Sequence, residues 1–193
     1  MPDDIFYRSA RLVTHIDDAA CAALTAYYAQ QLLKGDSILD LMSSCVSHLP
    51  VELSPRTVVG LGMNAQELEK NAQLDDFFVQ NLNENFTLPF EGYTFNACLI
   101  AVSVQYLTDP ISVFAEIARV LYPGGRLIIS FSNRMFPTKA VSIWRSLDDA
   151  GRRDYVATCI ERTTAYEKIE FLDLSPHPGH SDPLFSVTAY TKT

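Results

Sequence analysis

The chain has 193 residues, carries a formal net charge of −8 and draws 48% of its residues from the hydrophobic types. That length suits one domain spanning 1–193 with a buried core. The negative charge argues against nucleic-acid and anionic-membrane partners, which require clustered lysine and arginine, and no apolar run reaches the roughly 20 residues of a membrane span. The four cysteines form no CxxC pair, and the N-terminal stretch lacks the regions of a signal peptide, so we expect a cytoplasmic protein with reduced thiols.

The first half of the chain predicts one helix followed by strands and a short helix. Asp17 has the chemistry of an N-cap, and apolar residues at helical spacing follow it as far as Gly35. Asn64 and Glu67 have the spacing of a capping box at the start of a short helix. A loop is expected over 43–55. Short apolar runs predict buried strands at 37–42, 56–63 and 76–82.

The second half continues the alternation. A helix is predicted to start at Pro110 and to stop at Pro123, where two glycines free the backbone for a turn. The segment 138–163 predicts one or two helices. Further strands are predicted at 95–104, 126–132, 169–174 and 185–190, the last two around a polar loop. Strands alternating with helices imply a parallel α/β sheet, in which ligands bind beyond the carboxyl ends of the strands.

The order of these motifs resembles the class I S-adenosylmethionine (SAM)-dependent methyltransferases, in particular the small-molecule group that includes quinone-biosynthesis enzymes. The resemblance runs from about Ser37 to Arg134. It is most specific over 88–134, where an LPF motif, a strand entry at Phe95, a helix end of the RvLkPGG form and an iiS.pNr strand fall in register.

This resemblance implies a Rossmann-like class I methyltransferase fold. Its sheet has seven mostly parallel strands, with the last strand antiparallel and helices on both faces. It also divides the chain into an N-terminal lid and helix, a cofactor-binding half, and substrate-side helices with closing strands, at 1–35, 36–134 and 135–193.

The cofactor loop departs from the family pattern. An acidic residue followed by a DLGxGxG loop is expected after the first strand, and this chain keeps the acid at Asp40 but replaces the three glycines within 42–46. Either the loop takes a different path or the methionine end of SAM sits differently. The family's ribose-binding acid is replaced by Gly62 and its adenine-side Asp by Asn81. Loss of one ribose carboxylate is expected to cost about 1.5–3 kcal/mol.

Carried over by position, the resemblance assigns two groups of site residues. Cofactor contacts are expected from Asp40, Met42, Ser43, Ser44, Gly62, Met63, Asn64, Asn81, Leu82 and Ser103. Substrate contacts are expected from Gln105, Tyr106, Asn133, Arg134 and Tyr7. Tyr106 and His48 are weak candidates for a catalytic base, and no metal is expected. Each has a structural alternative: a strand-end cap for Asp40, turn residues for the serines, a helix cap for Asn64, core packing for Tyr106 and a surface charge for Arg134.

The resemblance implies an enzyme that transfers a methyl group from SAM to a small-molecule acceptor. Such a displacement depends on positioning and on excluding water rather than on a strong acid or a metal. Neither the acceptor nor the oligomeric state can be read from the residues. The alternative is a non-catalytic methyltransferase-like protein that acts in binding or regulation, which the lost glycines and the lost acid favour. A nicotinamide enzyme is disfavoured because GxGxxG is absent.

Overall fold

A computed structural model describes residues 2–193, in which seven strands form one sheet of order β3-β2-β1-β4-β5-β7-β6. The strands are β1 (Ser37–Leu41), β2 (Thr57–Gly62), β3 (Asp76–Val79), β4 (Phe95–Ala101), β5 (Leu121–Phe131), β6 (Tyr166–Asp173) and β7 (Phe185–Thr191). β7 pairs antiparallel with both of its neighbours, β5 and β6, whereas the pairs among β1 to β5 are parallel. The predicted Rossmann-like sheet, mostly parallel with the last strand antiparallel, is confirmed.

The strand order changes direction between β1 and β4. β1 pairs in parallel with β2 on one side and with β4 on the other. In open α/β sheets, ligands bind at such a switch point, beyond the carboxyl ends of the strands.

Helices cover both faces of the sheet, as predicted. They are α1 (Asp3–Phe6), α2 (Asp18–Gln31), α3 (Ala65–Glu69), α4 (Pro110–Val120), α5 (Ser142–Ser146) and α6 (Asp149–Arg162), with one 3₁₀ turn at Val104–Tyr106. Alternate strand residues pack on opposite faces, because successive side chains of a strand point opposite ways. Ile38 belongs to the core cluster under α2, and Leu39 to the cluster under α4 and α6. Within residues 2–193, no helix is long and apolar enough to cross a membrane.

The predicted N-caps Asp17 and Asn64 are confirmed, whereas the Glu67 carboxylate accepts from Ser44 and Arg11 instead of completing a capping box. The Asp17 carboxylate accepts from the backbone N–H of Ala20 at 2.8 Å, and Asn64 Oδ1 accepts from that of Glu67 at 3.1 Å. Gly124 adopts φ of 73°, the left-handed backbone that its predicted turn role requires.

Several predicted boundaries were wrong because the backbone turns or pairs differently; β6, for example, begins at Tyr166 rather than at residue 169, since Tyr166 pairs with Thr191 of β7. The first helix ends at Gln31 rather than at Gly35, β3 stops at Val79, and β4 stops at Ala101 because Val102 turns to φ of 50°. β5 begins at Leu121, before the Pro-Gly-Gly turn that was expected to precede it, because Leu121 already pairs with Phe95 of β4.

Candidate functional site

An inner cavity lies at the switch point, beyond the carboxyl ends of β1, β2, β3 and β4. Residues at or just after those ends line it, among them Asp40, Gly62, Gln80 and Ala101. Its volume is about 120 Å³ measured at the centres of water-sized spheres, whereas one water needs about 10–15 Å³. The protein's own side chains therefore leave this space open.

The inner cavity gathers most of the residues predicted as a site. All of the residues predicted to contact SAM line it, together with Tyr7, His48 and Tyr106. Asn133 and Arg134 lie elsewhere, at a second cavity described below. Gln105 lines neither cavity. It is fully buried, and its Nε2 donates to the backbone carbonyls of Val102 at 2.9 Å and Arg134 at 3.4 Å.

Asp40 organises the loop that follows β1. Its Oδ2 accepts from the hydroxyls of Ser43 and Ser47, each at 2.6 Å. Burial raises the pKa of Asp40 to about 6. Burial also raises the pKa values of Tyr28 and Cys98, so both are neutral. The retained acid thus anchors the serine loop while it forms part of the cavity wall.

The absence of an acid at Gly62 follows from the path of that loop. A Cβ atom on Gly62 would lie 2.3 Å from the backbone carbonyl oxygen of Ser43. The backbone N–H of Ser43 donates to the carbonyl of Leu61 at 2.9 Å, which holds the loop against the end of β2. Any side chain at position 62 would have to displace this backbone. The replaced glycines and the missing carboxylate are therefore one structural feature.

A carboxylate reaches the inner cavity from a different position, Glu67 on α3. Its Oε2 accepts from the Ser44 hydroxyl at 2.6 Å, and its Oε1 accepts from the backbone N–H of Arg11 at 2.7 Å. Sequence reasoning assigned Glu67 only to a capping box. Its position in the sequence could have indicated this role, because the third residue of α3 lies beside the end of β2.

Asn64 is held by other contacts. Besides capping α3, its Nδ2 donates to the carbonyls of Tyr7 at 2.8 Å and Arg8 at 3.2 Å. These bonds hold the N-terminal segment in place. Asn64 therefore acts as the helix cap that was its structural alternative, and its amide has no hydrogen left to donate to a ribose.

The segment from Asp3 to Ile16, called here the N-terminal lid, covers the inner cavity. Asp3 forms an ion pair with Lys139 and accepts from Asn83 at 3.0 Å. The guanidinium of Arg11 lies 4.3 Å from the centre of the Phe6 ring and 5.4 Å from that of Phe136. The lid is thus closed by contacts to three separate parts of the chain.

Three of the six non-glycine residues that adopt positive φ within residues 2–193 line the inner cavity. Met42, His48 and Val102 line it, and all three adopt positive φ, at 59°, 56° and 50°. Left-handed backbone costs non-glycine residues about 1–3 kcal/mol and often marks functional sites. Met42 occupies the position where the family has a glycine. The backbone there keeps the positive φ that glycine favours, although the side chain is larger.

The histidine and tyrosine side chains of the cavity are neutral near pH 7. Burial lowers the pKa values of His15 and His48 and raises those of Tyr7 and Tyr106. The Tyr106 hydroxyl oxygen accepts from the backbone N–H of Phe136 at 2.9 Å. The Ser103 hydroxyl, also at the cavity wall, is buried and has no hydrogen-bond partner within residues 2–193.

A second, wider outer cavity of about 750 Å³ adjoins the first. The two share a junction lined by Thr14, His15, Val102, Tyr106 and Phe136. Only the outer cavity is lined by Asn133, Arg134, Met135, Pro137 and Arg145. Sequence reasoning missed Arg145, and it treated His15 as a turn residue.

Solved structures of the same fold include several methyltransferases. The chain superimposes on phosphoethanolamine N-methyltransferase 2 of Haemonchus contortus in complex with SAM, with a TM-score of 0.64 and 13% identity, over 88% of this chain and 52% of that one. A SAM-dependent methyltransferase from Mesorhizobium loti gives 0.60 and 14%, over 88% and 98%. The cyclase SpnF gives 0.65 and 16%, over 88% and 81%. At these identities the likeness shows the fold, and a fold alone does not determine a function.

Sequence comparisons identify the family of the chain. A 69-residue stretch is 30% identical to the biotin biosynthesis bifunctional protein BioHC of Teredinibacter turnerae; it is 36% of this chain and spans only 12% of that relative. The sequence pattern of a methyltransferase domain matches residues 33–129, which is half of the chain and includes β1, β2, β3, β4 and α4. The chain therefore belongs to the methyltransferase domain family.

Proposed function

We propose that this protein is a cytoplasmic SAM-dependent methyltransferase that acts on a small molecule. One observation carries the proposal. A cavity at the switch point, unfilled by side chains and covered by the N-terminal lid, is lined by every residue that the family resemblance predicts to contact SAM. The buried Ser103 hydroxyl supports it, because a buried polar atom without a partner is costly unless a ligand satisfies it.

The chemistry of the lining suits a nucleoside cofactor if Glu67 takes the place of the family's ribose acid. Leu82 and Leu107 offer apolar surface on the side where the family holds adenine, and Asn81 offers an amide there. Ser43, Ser44 and Ser103 surround the end of β1, where the methionine portion is expected. Bound SAM supplies an electrophilic methyl group.

Glu67 is proposed to replace the family's ribose acid. Each of its carboxylate oxygens accepts one hydrogen bond from the protein, and a carboxylate oxygen can accept a second. Glu67 thus retains capacity for the ribose hydroxyls, whereas the Ser43 carbonyl denies position 62 any side chain. The charge that is missing from β2 is restored from α3.

The remaining residues position the acceptor and exclude water. The N-terminal lid covers one side of the inner cavity, which suits a displacement that depends on proximity. His15 lies at the junction of the two cavities, and its lowered pKa leaves a neutral imidazole that can take a proton from an acceptor hydroxyl or amine. Tyr106 keeps its proton at pH 7, and His48 lines the inner cavity but not the outer one, so we prefer His15 to both as the base.

The acceptor class rests on the sequence. The resemblance to the small-molecule group that includes quinone-biosynthesis enzymes remains our proposed subgroup. A small acceptor is also consistent with the 750 Å³ outer cavity, because ligand pockets of small molecules typically enclose about 300–1,000 Å³.

Calorimetric titration with SAM and S-adenosylhomocysteine tests the proposal. We expect micromolar binding by the unaltered protein and at least tenfold weaker binding by Glu67→Gln, since one charged hydrogen bond contributes about 1.5–3 kcal/mol. Glu69→Gln is the matched control, because Glu69 is exposed on the same helix and does not line the cavity. Folded protein that releases no heat at millimolar ligand would instead favour the non-catalytic alternative.

A further inference from the structure

We propose that the outer cavity is the acceptor site and that it selects an anionic small molecule, whose negative group is held by Arg134 and Arg145. The assignment to a methyl acceptor rests on the proposed function. The anion site itself does not, and the two are tested separately below.

The charge at the outer cavity is opposite in sign to that of the chain. The net charge is −8, yet among residues 2–193 the only charged side chains lining this cavity are those of Arg134 and Arg145, and no carboxylate of that part of the chain lines it. Burial lowers the pKa of His15 and raises that of Tyr106, so the two other titratable groups that line this cavity are neutral. Two positive charges that line one cavity of an acidic protein attract an anion and disfavour a cation.

Neither arginine is fully satisfied within the protein. The Arg134 Nε lies 3.7 Å from Asp182 Oδ1, and its side chain is 62% exposed. Separations of this length exceed an ordinary charged hydrogen bond of about 2.7–2.9 Å. The Arg145 guanidinium has no hydrogen bond or ion pair with any part of residues 2–193, and Arg145 is exposed. Both guanidinium groups are therefore available to a carboxylate or a phosphate, which arginine binds in bidentate fashion.

The rest of the outer cavity is suited to an apolar body. Val102, Met135, Phe136 and Pro137 line it. The Phe136 ring is stacked against Tyr106 at 5.9 Å between ring centres and is contacted edge-on by His15 at 5.3 Å. An aromatic or aliphatic skeleton would lie against this surface, since such contacts remove apolar area from water.

The positions of these lining residues also orient the acceptor. The two arginines line only the outer cavity, whereas His15 and Tyr106 line the junction with the inner one. An acceptor anchored by its anion would thus present its far end to the junction. Gln105 supports this geometry indirectly, because its buried amide donates to the carbonyls of Val102 and Arg134. The ligand class is an apolar small molecule with an anionic group at one end and a nucleophilic atom at the other.

Matched probes that differ only in charge test the inference. We would titrate 4-hydroxybenzoate against 4-hydroxybenzamide, and phenyl phosphate against phenol, by ligand-observed NMR and calorimetry. The variants are Arg134→Gln, Arg145→Gln and their combination. Arg153→Gln is the control, since Arg153 is a partly exposed arginine paired with Asp154 and lines neither cavity.

We expect at least one anion to bind ten times more tightly than its neutral counterpart, and the double variant to lose most of that preference. Arg153→Gln should retain it, and raised salt should reduce it, because exposed charges are screened. The two pairs show whether a carboxylate or a phosphate is preferred. Equal binding within both pairs, an unaffected double variant, or no binding of either anion at millimolar concentration overturns the inference.

Adding S-adenosylhomocysteine to the same titrations separates this inference from the proposed function. If the anions bind and the nucleoside does not, the anion site stands and the methyltransferase proposal fails. If the nucleoside binds and the anions do not, only the present inference fails.

Discussion

Restoring a side chain to Gly62 is expected to damage the protein rather than to improve its cofactor site. The change is Gly62→Ala, with Gly62→Asp as the variant that reinstates the family's acid. The new Cβ would lie 2.3 Å from the Ser43 carbonyl oxygen and 3.2 Å from a methyl carbon of Leu68, whereas ordinary contacts begin near 3.4 Å. The loop after β1 must therefore move by about 1 Å, and forced overpacking of this kind typically costs about 1–3 kcal/mol.

The loop cannot move freely, because the Ser43 hydroxyl is bonded to Asp40 and its backbone N–H to Leu61. Weakening one such bond adds roughly 1 kcal/mol, so we expect Gly62→Ala to lower the free energy of unfolding by about 2–4 kcal/mol. For a chain of this size each kcal/mol shifts Tm by about 2–4 °C, which gives a fall of about 5–15 °C.

Differential scanning calorimetry and urea unfolding measure this loss. Gly92→Ala is the control: Gly92 is exposed, and its nearest non-neighbouring atom is the Arg119 carbonyl oxygen at 3.3 Å, so we expect a change within about 0.5 kcal/mol. An unchanged Tm for Gly62→Ala would refute the reasoning. Tighter S-adenosylhomocysteine binding by Gly62→Asp would refute it too, and would remove the need for Glu67 as the ribose acid.

Three further predictions concern the buried acid, the strained loop and the lid. The pKa of Asp40 is raised from 3.8 to about 6, so between these pH values the native state holds more protons than the unfolded state. The free energy of unfolding therefore falls as pH rises, by about 2–3 kcal/mol. Asp40→Asn should abolish this fall in urea titrations from pH 4 to 7, and an unchanged profile contradicts the prediction. Met42→Gly relieves a φ of 59°, so its Tm should exceed that of Met42→Ala, which keeps the strained Cβ; equal Tm values would argue against strain. Asp3→Asn removes the lid's ion pair with Lys139 and should speed S-adenosylhomocysteine release in stopped-flow experiments, whereas the exposed Asp4→Asn should not; identical rates would show that this ion pair does not hold the lid closed.

The order of the elements and the location of the cavity were predictable because they depend on local patterns. The period of apolar residues identifies strands and helices, and Asp17, Asn64 and Pro110 mark helix starts through their own backbone chemistry. In a parallel sheet the carboxyl ends of the strands share one edge. Residues after β1, β2 and β4 therefore converge at the inner cavity although they are far apart in sequence.

The contents of the site depended on contacts between distant segments, which no local pattern encodes. The path of the serine loop follows from Asp40 on one side and the bare backbone of Gly62 on the other. Glu67 reaches the inner cavity because Ser44 and the N-terminal lid both bond to it. Arg145, on α5, lines the same outer cavity as Arg134 because of the course of the chain after β5. Strand and helix periods arise from neighbouring residues, whereas loop paths are selected by hydrogen bonds and close contacts that exist only once the chain has folded.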